Sequence, residues 1–242
     1  MGLIKLYKPI GLTPYDMIKR LKKEERYKTT KMSYAGRLDP MAHGLMIILT
    51  DYDCYKQELY NNLDKIYEFK LLVGIGTDTN DILGIINGNT ETIKVDSNYI
   101  RETIYGIKGD MNQEYPLFSS KRYNGKPLWY YGKNNIQERI KQYPSHMISI
   151  KDIKINGEEL ISKTDLLSLV MTNIDKLDTK KDFRQDKIIK EWKTITNIDY
   201  NIFNIEVTVS SGTYIRGISN YIGKQIGIPT LCVDIYRKNI LI

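Results

Sequence analysis

The chain has 242 residues, of which 41% are apolar, and it carries a formal net charge of +7 with a pI near 9.1. This length and apolar content can fill the core of one large domain or two small ones. The positive charge favours a polyanionic partner, and the lack of any apolar run near the roughly 18 residues of a membrane span excludes a spanning helix.

Cysteine and histidine are too scarce for several kinds of site. Cys54 and Cys232 are too few and too far apart for a disulfide framework or a zinc site, which suits a reducing compartment. His43 and His146 are the only histidines in the sequence, so a histidine-based triad or metal cluster has little material. Because a strand-like run starts at Leu3, we identify no presequence and expect a cytoplasmic protein without a bound metal.

Most of the positive charge lies near the N-terminus. A strand is predicted over Leu3–Tyr7, and Thr13 then caps a helix with Pro14 at its first position and Asp16 at its third. Residues 19–37, called the basic strip below, carry eight Lys or Arg against two Glu. Such a face is often only solvated, but the loop that follows it favours an RNA-facing surface.

That loop places one acid at a stiff corner before an apolar run. Gly36 and Gly44 give backbone freedom at its ends, and Pro40 pushes Asp39 towards an extended conformation. Leu45–Leu49 has the length of a buried strand. A carboxylate on a rigid loop entering a core strand is placed as catalytic groups are, although a turn aspartate that bonds its own backbone is the alternative.

The later segments alternate between helical and strand periodicity. In chain order, we predict a helix from Thr50 to about Tyr60, a strand over Ile66–Val73, a helix opening at Ser97 and a strand over Ile202–Val209. Tyr67 falls on the apolar face of its strand, the usual place of a core tyrosine. Residues 118–131 interleave basic and aromatic side chains, which suits stacking on splayed bases.

Several motifs together resemble the TruB-type tRNA pseudouridine synthases. Residues 36–44, GRLDPMAHG, are similar to the family's G-x-L-D-P-x-A-x-G signature. Other matches follow the family's order along the chain: Lys8-Pro9-Ile10-Gly11, Asp64-Lys65-Ile66-Tyr67, Gly74 to Asp81, Phe118 to Tyr131, Ser211 to Arg216, and Ile235-Tyr236-Arg237. Tyr34 departs from the pattern because it lies where relatives usually have histidine.

The resemblance implies an α+β (mixed α/β) fold, the pseudouridine synthase catalytic fold. Its central, largely antiparallel mixed sheet is flanked by helices, and an RNA-binding cleft crosses it. We expect a single catalytic domain over residues 1–242 with an insertion at about 157–195, and without the C-terminal RNA-binding domain that many relatives carry. Residues 157–195 have eight basic and eight acidic side chains, and their leucine-rich helix should mainly cover core.

The resemblance also assigns the site residues. It makes Asp39 the essential catalytic residue, places Tyr67 against the target base, and gives Arg216 a salt bridge to Asp39. Ile235 takes the position of a leucine that packs on the base. The substrate-binding residues expected on the same basis are Lys8, Tyr34, Gly36, Arg37, His43, Lys121, Arg122, Tyr214, Ile235 and Arg237.

The implied activity is the isomerisation of uridine to pseudouridine in RNA, at the T-loop uridine 55 of tRNA. The reaction is redox-neutral, so no cofactor is expected, and the partner is the tRNA T-stem-loop, with no protein partner and a monomeric enzyme. Two alternatives stay open: a synthase acting on another RNA, and a non-catalytic RNA-binding or folding chaperone of the same fold. The presence of both Asp39 and Arg216 argues against the chaperone, since binding alone needs neither.

Overall fold

A computed structural model describes residues 2–90 and 96–242. The helices of these residues are α1 Pro14–Leu21, α2 Gln57–Asn61, α3 Ser97–Gly106, α4 Leu128–Lys133, α5 Lys163–Asp175, α6 Gln185–Trp192 and α7 Ile215–Ile226. The strands are β1 Leu3–Lys8, β2 Met32–Ala35, β3 His43–Thr50, β4 Lys65–Val73, β5 Ile75–Thr77, β6 Ile86–Asn89, β7 Gly109–Glu114, β8 Arg122–Tyr123, β9 Lys126–Pro127, β10 Ser145–Ile161, β11 Tyr200–Val209 and β12 Thr230–Ile240.

Within the described residues, eight strands form one mixed sheet. Seven follow the order β1-β3-β12-β4-β11-β10-β7, and β2 pairs with β3 outside this path. Every pairing in the sheet is antiparallel except that of β12 with β3. The predicted α+β class with a largely antiparallel sheet is therefore confirmed. None of the helices in this part of the chain is long and apolar enough to cross a membrane.

The two faces of the sheet differ because its strands alternate. On β4, the side chains of Tyr67, Phe69 and Leu71 are buried in the main core, which helices α3, α5, α6 and α7 also supply. The opposite face carries ion pairs across strands, such as Lys238 with Glu68 at 2.7 Å. Burial of every second residue from Lys65 to Leu71 explains why the period-two pattern of this strand could be recognised.

Helix α1 begins as its sequence predicted. The side chain of Thr13 accepts a hydrogen bond from the Asp16 backbone N–H, and the Asp16 carboxylate accepts one from the Thr13 N–H at 2.9 Å. Met17 and Ile18 then pack against Met46 of β3 in a second core cluster. This packing holds the helical part of the basic strip against the strand that follows the Asp39 loop.

The segments after β3 and at the end of β10 differ most from what the sequence predicts. Thr50 does not cap a continuous helix, because its hydroxyl donates instead to the Gly2 carbonyl at 3.4 Å, and residues Asp51–Lys56 form 3₁₀ turns before α2. Residues 157–161, at the start of the segment predicted as an insertion, belong to β10 and pair with β11, and helices α5 and α6 follow them. These helices do cover core, since Leu166, Val170 and Trp192 are buried.

Candidate active site

The carboxylate of Asp39 projects from a loop whose neighbouring residues are fixed. Leu38 and Met41 are buried, and the Pro40 carbonyl accepts a hydrogen bond from the Gly11 N–H at 2.8 Å. The Asp39 side chain itself keeps 30% of its surface exposed. The loop therefore presents one carboxylate in a held position, as a reacting group requires.

Arg216 holds this carboxylate from the first turn of α7. Its Nε and Nη2 atoms both lie 2.8 Å from Asp39 Oδ2, while the arginine is almost fully buried. Burial by itself lowers the pKa of Arg216, but the charges of Asp39 and Asp81 outweigh it and raise the pKa above its ordinary value. The salt bridge implied by the resemblance is therefore present, and its cation persists at every pH that the fold tolerates.

A second carboxylate and two carbonyls complete the surroundings of Arg216. Nη1 donates to the Thr79 carbonyl at 2.7 Å and Nη2 to the Phe118 carbonyl at 3.3 Å, while Asp81 Oδ2 lies 3.5 Å from Nε. Burial raises the pKa of Asp81 to about 6, although the charge of Arg216 opposes the shift. Asp81 ends the Gly74 to Asp81 motif, but sequence reasoning gave it no role.

Asp39 and Arg216 border a cavity of about 260 Å³. The predicted residues that line it are Gly36, Arg37, Asp39, Tyr67, Tyr214, Arg216, Ile235 and Arg237. Tyr67 and Ile235 reach it from the neighbouring strands β4 and β12, and both are buried. The fold thus gathers predicted residues from four separated parts of the chain around the Asp39–Arg216 pair.

Lys65 and Asn61 also line this cavity and were not predicted. Lys65 is buried, and its Nζ donates to the carbonyls of Asn61 and Leu63 at 2.6 and 2.5 Å. Burial, aided by the charge of Arg237, lowers the pKa of Lys65 to about 8. The Asn61 side chain accepts the Gly36 N–H at 2.8 Å, so the pair joins α2 to the Asp39 loop. In the sequence, only the motif from Asp64 to Tyr67 could have indicated Lys65 as a site residue.

Tyr115 is a further cavity residue that the sequence did not single out. Its ring stacks on His146 with centroids 4.2 Å apart and meets the Tyr214 ring edge-on at 5.7 Å. These contacts join Tyr115 and Tyr214 into an aromatic wall of the cavity. The only hint of Tyr115 in the sequence was its position shortly before the basic and aromatic segment 118–131, which is a weak signal.

On the other side of the ion pair lies a second cavity, of about 320 Å³. Asp39 and Arg216 line both cavities, and the rings of Phe118, Trp129 and Phe183 are part of the apolar lining of the second. In residues 2–90 and 96–242, no three His, Cys, Asp or Glu side chains converge as a metal site would require.

Comparison with known families identifies the chain. Residues 23–168, more than half of its length, match the family model for the TruB family pseudouridylate synthase (N terminal domain). The chain belongs to the TruB family. Its Asp39 loop, the Tyr67 motif and residues 118–131 all lie within the matched range.

Two curated TruB relatives are similar over nearly all of the chain. The tRNA pseudouridine synthase B of Thermotoga maritima is 28% identical over 239 residues, which cover 99% of this chain and 62% of the relative. The enzyme of the same name from Bacillus subtilis is 25% identical over 229 residues, covering 94% and 61%. The chain therefore spans about 62% of the length of the Thermotoga relative.

Solved structures share the TruB-family fold at low identity. A Cbf5-Nop10-Gar1 complex matches 99% of this chain and 48% of the other, with a TM-score of 0.59 and 16% identity. An H/ACA RNP bound to a substrate RNA containing 2'-deoxyuridine matches 99% and 47%, with a TM-score of 0.56 and 15% identity. At this identity the likeness supports the fold alone, which is the pseudouridine synthase fold predicted from sequence.

Lys8, which the resemblance predicts to bind substrate, does not reach the cavity of this TruB-family site. Lys8 is fully buried, and its Nζ donates to the carbonyls of Pro9 and Leu12 at 2.9 and 2.7 Å. Direct contact between Lys8 and a substrate was therefore a wrong prediction. Its ammonium group instead shapes the turn whose Gly11 N–H bonds the Pro40 carbonyl.

His43 lies on the opposite face of the sheet. Alternate residues of β12 point to opposite faces, and Ile235 and Arg237 take the cavity side. His43 Nε2 is 3.1 Å from Asp234 Oδ1, and its ring stacks on Tyr236 with centroids 4.9 Å apart. His43 therefore lies away from Asp39, and its expected contact with the substrate stays a prediction.

The other predicted substrate contacts lie around the cavity rather than in it. The Tyr34 hydroxyl accepts a hydrogen bond from Arg37 Nη2 at 3.1 Å, so Tyr34 supports an arginine that lines the cavity. Lys121 Nζ lies 4.8 Å from the centroid of the Tyr115 ring. Arg122 is exposed and donates to the Gly125 carbonyl at 3.1 Å, within the β8–β9 hairpin. Direct RNA contacts by these three residues stay predictions.

Proposed function

We propose that this TruB-family protein isomerises uridine to pseudouridine in tRNA, at uridine 55 of the T-loop. The observation that carries the proposal is the Asp39 carboxylate, which a buried Arg216 holds at 2.8 Å beside a cavity walled by Tyr67 and Ile235. The names of the curated relatives, tRNA pseudouridine synthase B, support tRNA as the substrate. The T-loop position follows from the sequence resemblance.

The chemistry requires one well-placed carboxylate. The bond between the ribose C1′ and the uracil N1 breaks, the uracil turns, a bond forms from C1′ to C5, and the C5 proton is replaced by a proton on N1. Asp39 serves this sequence as a nucleophile or as a base. Substrate and product have the same atoms and oxidation state, so we propose that the reaction uses no cofactor.

The cavity suits a uracil that has left its stack. Extruding a nucleotide costs a few kcal/mol, which contacts inside the pocket must offset. In the proposed pose, Tyr67 and Ile235 supply apolar contact to the base, and so does the aromatic wall of Tyr115 and Tyr214. Polar groups that line the cavity, such as Asn61, can read the edge of the base, as flipped bases are read elsewhere.

We further propose that the basic strip attracts the T-stem-loop backbone. Lys19, Arg20, Lys22 and Lys23 are all exposed on or just after α1, which packs against β3, the strand that follows the Asp39 loop. Phosphate attraction rises with local positive charge. In this proposal the protein works in the cytoplasm as a monomer and needs no protein partner. It then binds one tRNA per protein chain, and sedimentation of the protein–tRNA mixture tests this stoichiometry.

One assay tests the proposal. The protein is incubated with an unmodified tRNA transcript, and pseudouridine is mapped by carbodiimide modification and primer extension. We expect modification at uridine 55 alone, and none with Asp39→Asn, which keeps the shape of the side chain but lacks a carboxylate. Asp39→Asn should bind the transcript as tightly as the parent. Turnover by Asp39→Asn within tenfold of the parent, or modification only at other uridines, would contradict the proposal.

A further inference from the structure

Segment 157–195 reaches the loop that holds Arg216. That loop follows β5, spans residues 78–85 and carries Thr79 and Asp81, which both contact the guanidinium. The Trp192 indole of α6 donates to the Gly84 carbonyl of the same loop at 3.1 Å, in a buried contact. The added helices therefore touch the active-site framework as well as the core.

The second contact is made by Arg184, just before α6. Its Nη1 and Nη2 atoms bond the two carboxylate oxygens of Asp78, the Nη2 bond measuring 3.2 Å. The same guanidinium lies over the Phe118 ring, 4.3 Å from its centroid. The side chains of Arg184 and Asp78 are only 18% and 25% exposed, so solvent screens this pair weakly.

These two partners adjoin the two carbonyls that Arg216 uses. Asp78 immediately precedes Thr79, whose carbonyl accepts Nη1 of Arg216, and Phe118 itself supplies the other carbonyl. We propose that Arg184 is a positioning residue for the Arg216–Asp39 pair, acting by clamping residues 78 and 118 at a fixed separation. The predicted effect on turnover rests on the proposed function, whereas the effect on Arg216 does not.

The backbone at Arg184 supports this assignment. Its φ of 66° lies in the left-handed region, which residues other than Gly, Asn and Asp rarely adopt. The Arg184 N–H donates to Asp182 Oδ1 at 3.0 Å, and Asp182 also pairs with Lys133 of α4 at 2.8 Å. An arginine kept in this conformation, where glycine would fit without strain, indicates that its side chain has a use.

Lysine could not replace Arg184 in this arrangement. A planar guanidinium can bond both oxygens of a carboxylate while its face stacks on an aromatic ring, whereas an ammonium is a point charge. Arg184→Lys should therefore loosen the clamp although it keeps the charge. Arg184→Gly removes the side chain at a position where glycine adopts the backbone conformation freely, so the fold should survive.

The first test observes Arg216 directly. In a ¹⁵N–¹H spectrum, the Nε–H signal of Arg216, assigned by its loss in Arg216→Lys, reports the hydrogen bond to Asp39. We expect this signal to shift and to exchange with water at least about tenfold faster in Arg184→Gly, with a smaller change in Arg184→Lys. Lys187→Ala, an exposed change on the same helix, is the matched control and should leave the signal unchanged.

The second test measures turnover under single-turnover conditions with saturating protein. Misplacement of a reacting group by about 1 Å can cost a hundredfold in rate, and we expect Arg184→Gly to lose about ten- to a hundredfold while its Kd for the tRNA transcript stays within twofold. Asp78→Asn should lose a similar factor, and the double variant should lose no more than the worse single one.

The outcomes separate this inference from the proposed function. If the parent makes no pseudouridine, the activity fails, but the Arg216 signal still decides whether Arg184 acts on it. If the parent is active and Arg184→Gly changes neither the signal nor the rate, the inference is overturned and the function stands. A loss confined to Kd, or an equal change in Lys187→Ala, would also overturn it.

Discussion

Four buried cations surround the Asp39 loop, and the groups that they contact distinguish their roles. Arg216 lies against two carboxylates. Lys8, Lys65 and Arg237 instead donate to backbone carbonyls, those of Leu45 and Gly36 in the case of Arg237. Because carbonyl partners fix backbone geometry, these three residues shape the loops, while Arg216 acts on the carboxylate proposed to react.

Arg216→Lys tests the value of a two-nitrogen contact. An ammonium cannot reproduce the paired N–H donors that meet Asp39, nor can it also bond two carbonyls. We expect the single-turnover rate to fall about a hundredfold, the usual scale for losing one preorganised donor, with tRNA affinity nearly unchanged. Arg139→Lys, an exposed substitution of the same kind, is the control. An unchanged rate would mean that Arg216 does not support Asp39.

Lys8 should make stability depend on pH. Burial, opposed in part by the charge of Asp39, lowers its pKa to about 7 in the folded protein, whereas the unfolded chain keeps the ordinary value of 10.5. Between pH 7 and 10.5 the unfolded chain therefore binds more protons at this group, so the free energy of unfolding rises with pH by up to about 1.4 kcal/mol per unit. Below pH 7, Lys8 is charged in both states and adds no slope.

Urea unfolding at pH 7, 8 and 9 measures this effect by difference. Other groups also titrate in the window, so the slope of the parent is compared with that of Lys8→Met. We expect the parent to gain stability relative to Lys8→Met by roughly 1–2 kcal/mol over these two pH units. Lys22→Met, an exposed change, should keep the slope of the parent. Parallel curves for the parent and Lys8→Met would refute the linkage.

At the scale of elements, Gly44 allows β3 to meet β12. The two strands run parallel where His43 pairs with Tyr236 and Gly44 with Arg237. Gly44 has a φ of 116°, and a Cβ added there would lie 2.3 Å from the Arg237 carbonyl oxygen. This contact places the Asp39 loop beside the strand that carries Ile235, so the geometry of the site depends on it.

Gly44→Ala should therefore be strongly destabilising. Backbone strain and a clash with backbone atoms that cannot rotate away each cost about 1–3 kcal/mol, and we expect a loss of roughly 2–4 kcal/mol in chemical denaturation. Gly106→Ala is the matched control, because nothing lies within 4 Å of the added Cβ at the end of α3. It should be neutral or slightly stabilising. Equal stability of the two variants would contradict this account.

Across the whole molecule, positive charge is concentrated rather than spread. The basic strip combines eight Lys or Arg with two Glu, whereas residues 157–195 carry equal numbers of basic and acidic groups. Two cations of that segment are also engaged, Lys181 with Asp16 at 2.6 Å and Arg184 with Asp78. Long-range attraction of RNA should therefore come from the strip, with residues 121–141 as the second contributor.

Salt-titrated tRNA binding by two quadruple alanine variants tests this distribution. The first variant changes exposed residues of the strip, Lys19, Arg20, Lys22 and Lys23, and the second changes exposed residues of the other segment, Lys180, Lys187, Lys190 and Lys193. Each phosphate contact contributes about 0.7–0.9 to the slope of log K against log salt. We expect the strip variant to bind more weakly with a slope flatter by about 1–3, and the second variant to change less in both. A larger loss from the second variant would contradict the assignment.

The sequence by itself determined the features that depend on neighbouring residues. The capping box of α1, the alternation of β4 and the stiff Asp39 loop all arise from side chains within a few positions of one another. The resemblance of short motifs to the TruB family also implied the fold class and the pairing of Asp39 with Arg216. These features persist in the structure because local conformation and one-sided burial constrain them together.

The tertiary structure decided which side chains meet. Lys8 and His43 occupy motif positions, yet strand register buries one and turns the other to the far face of the sheet. Asp81, Tyr115 and Arg184 reach the surroundings of the site from distant segments. The Thr50 hydroxyl donates to the Gly2 carbonyl and does not cap the predicted helix. A sequence shows which groups can pair, but the choice among distant partners depends on sheet register and shared burial, and only the assembled fold specifies these.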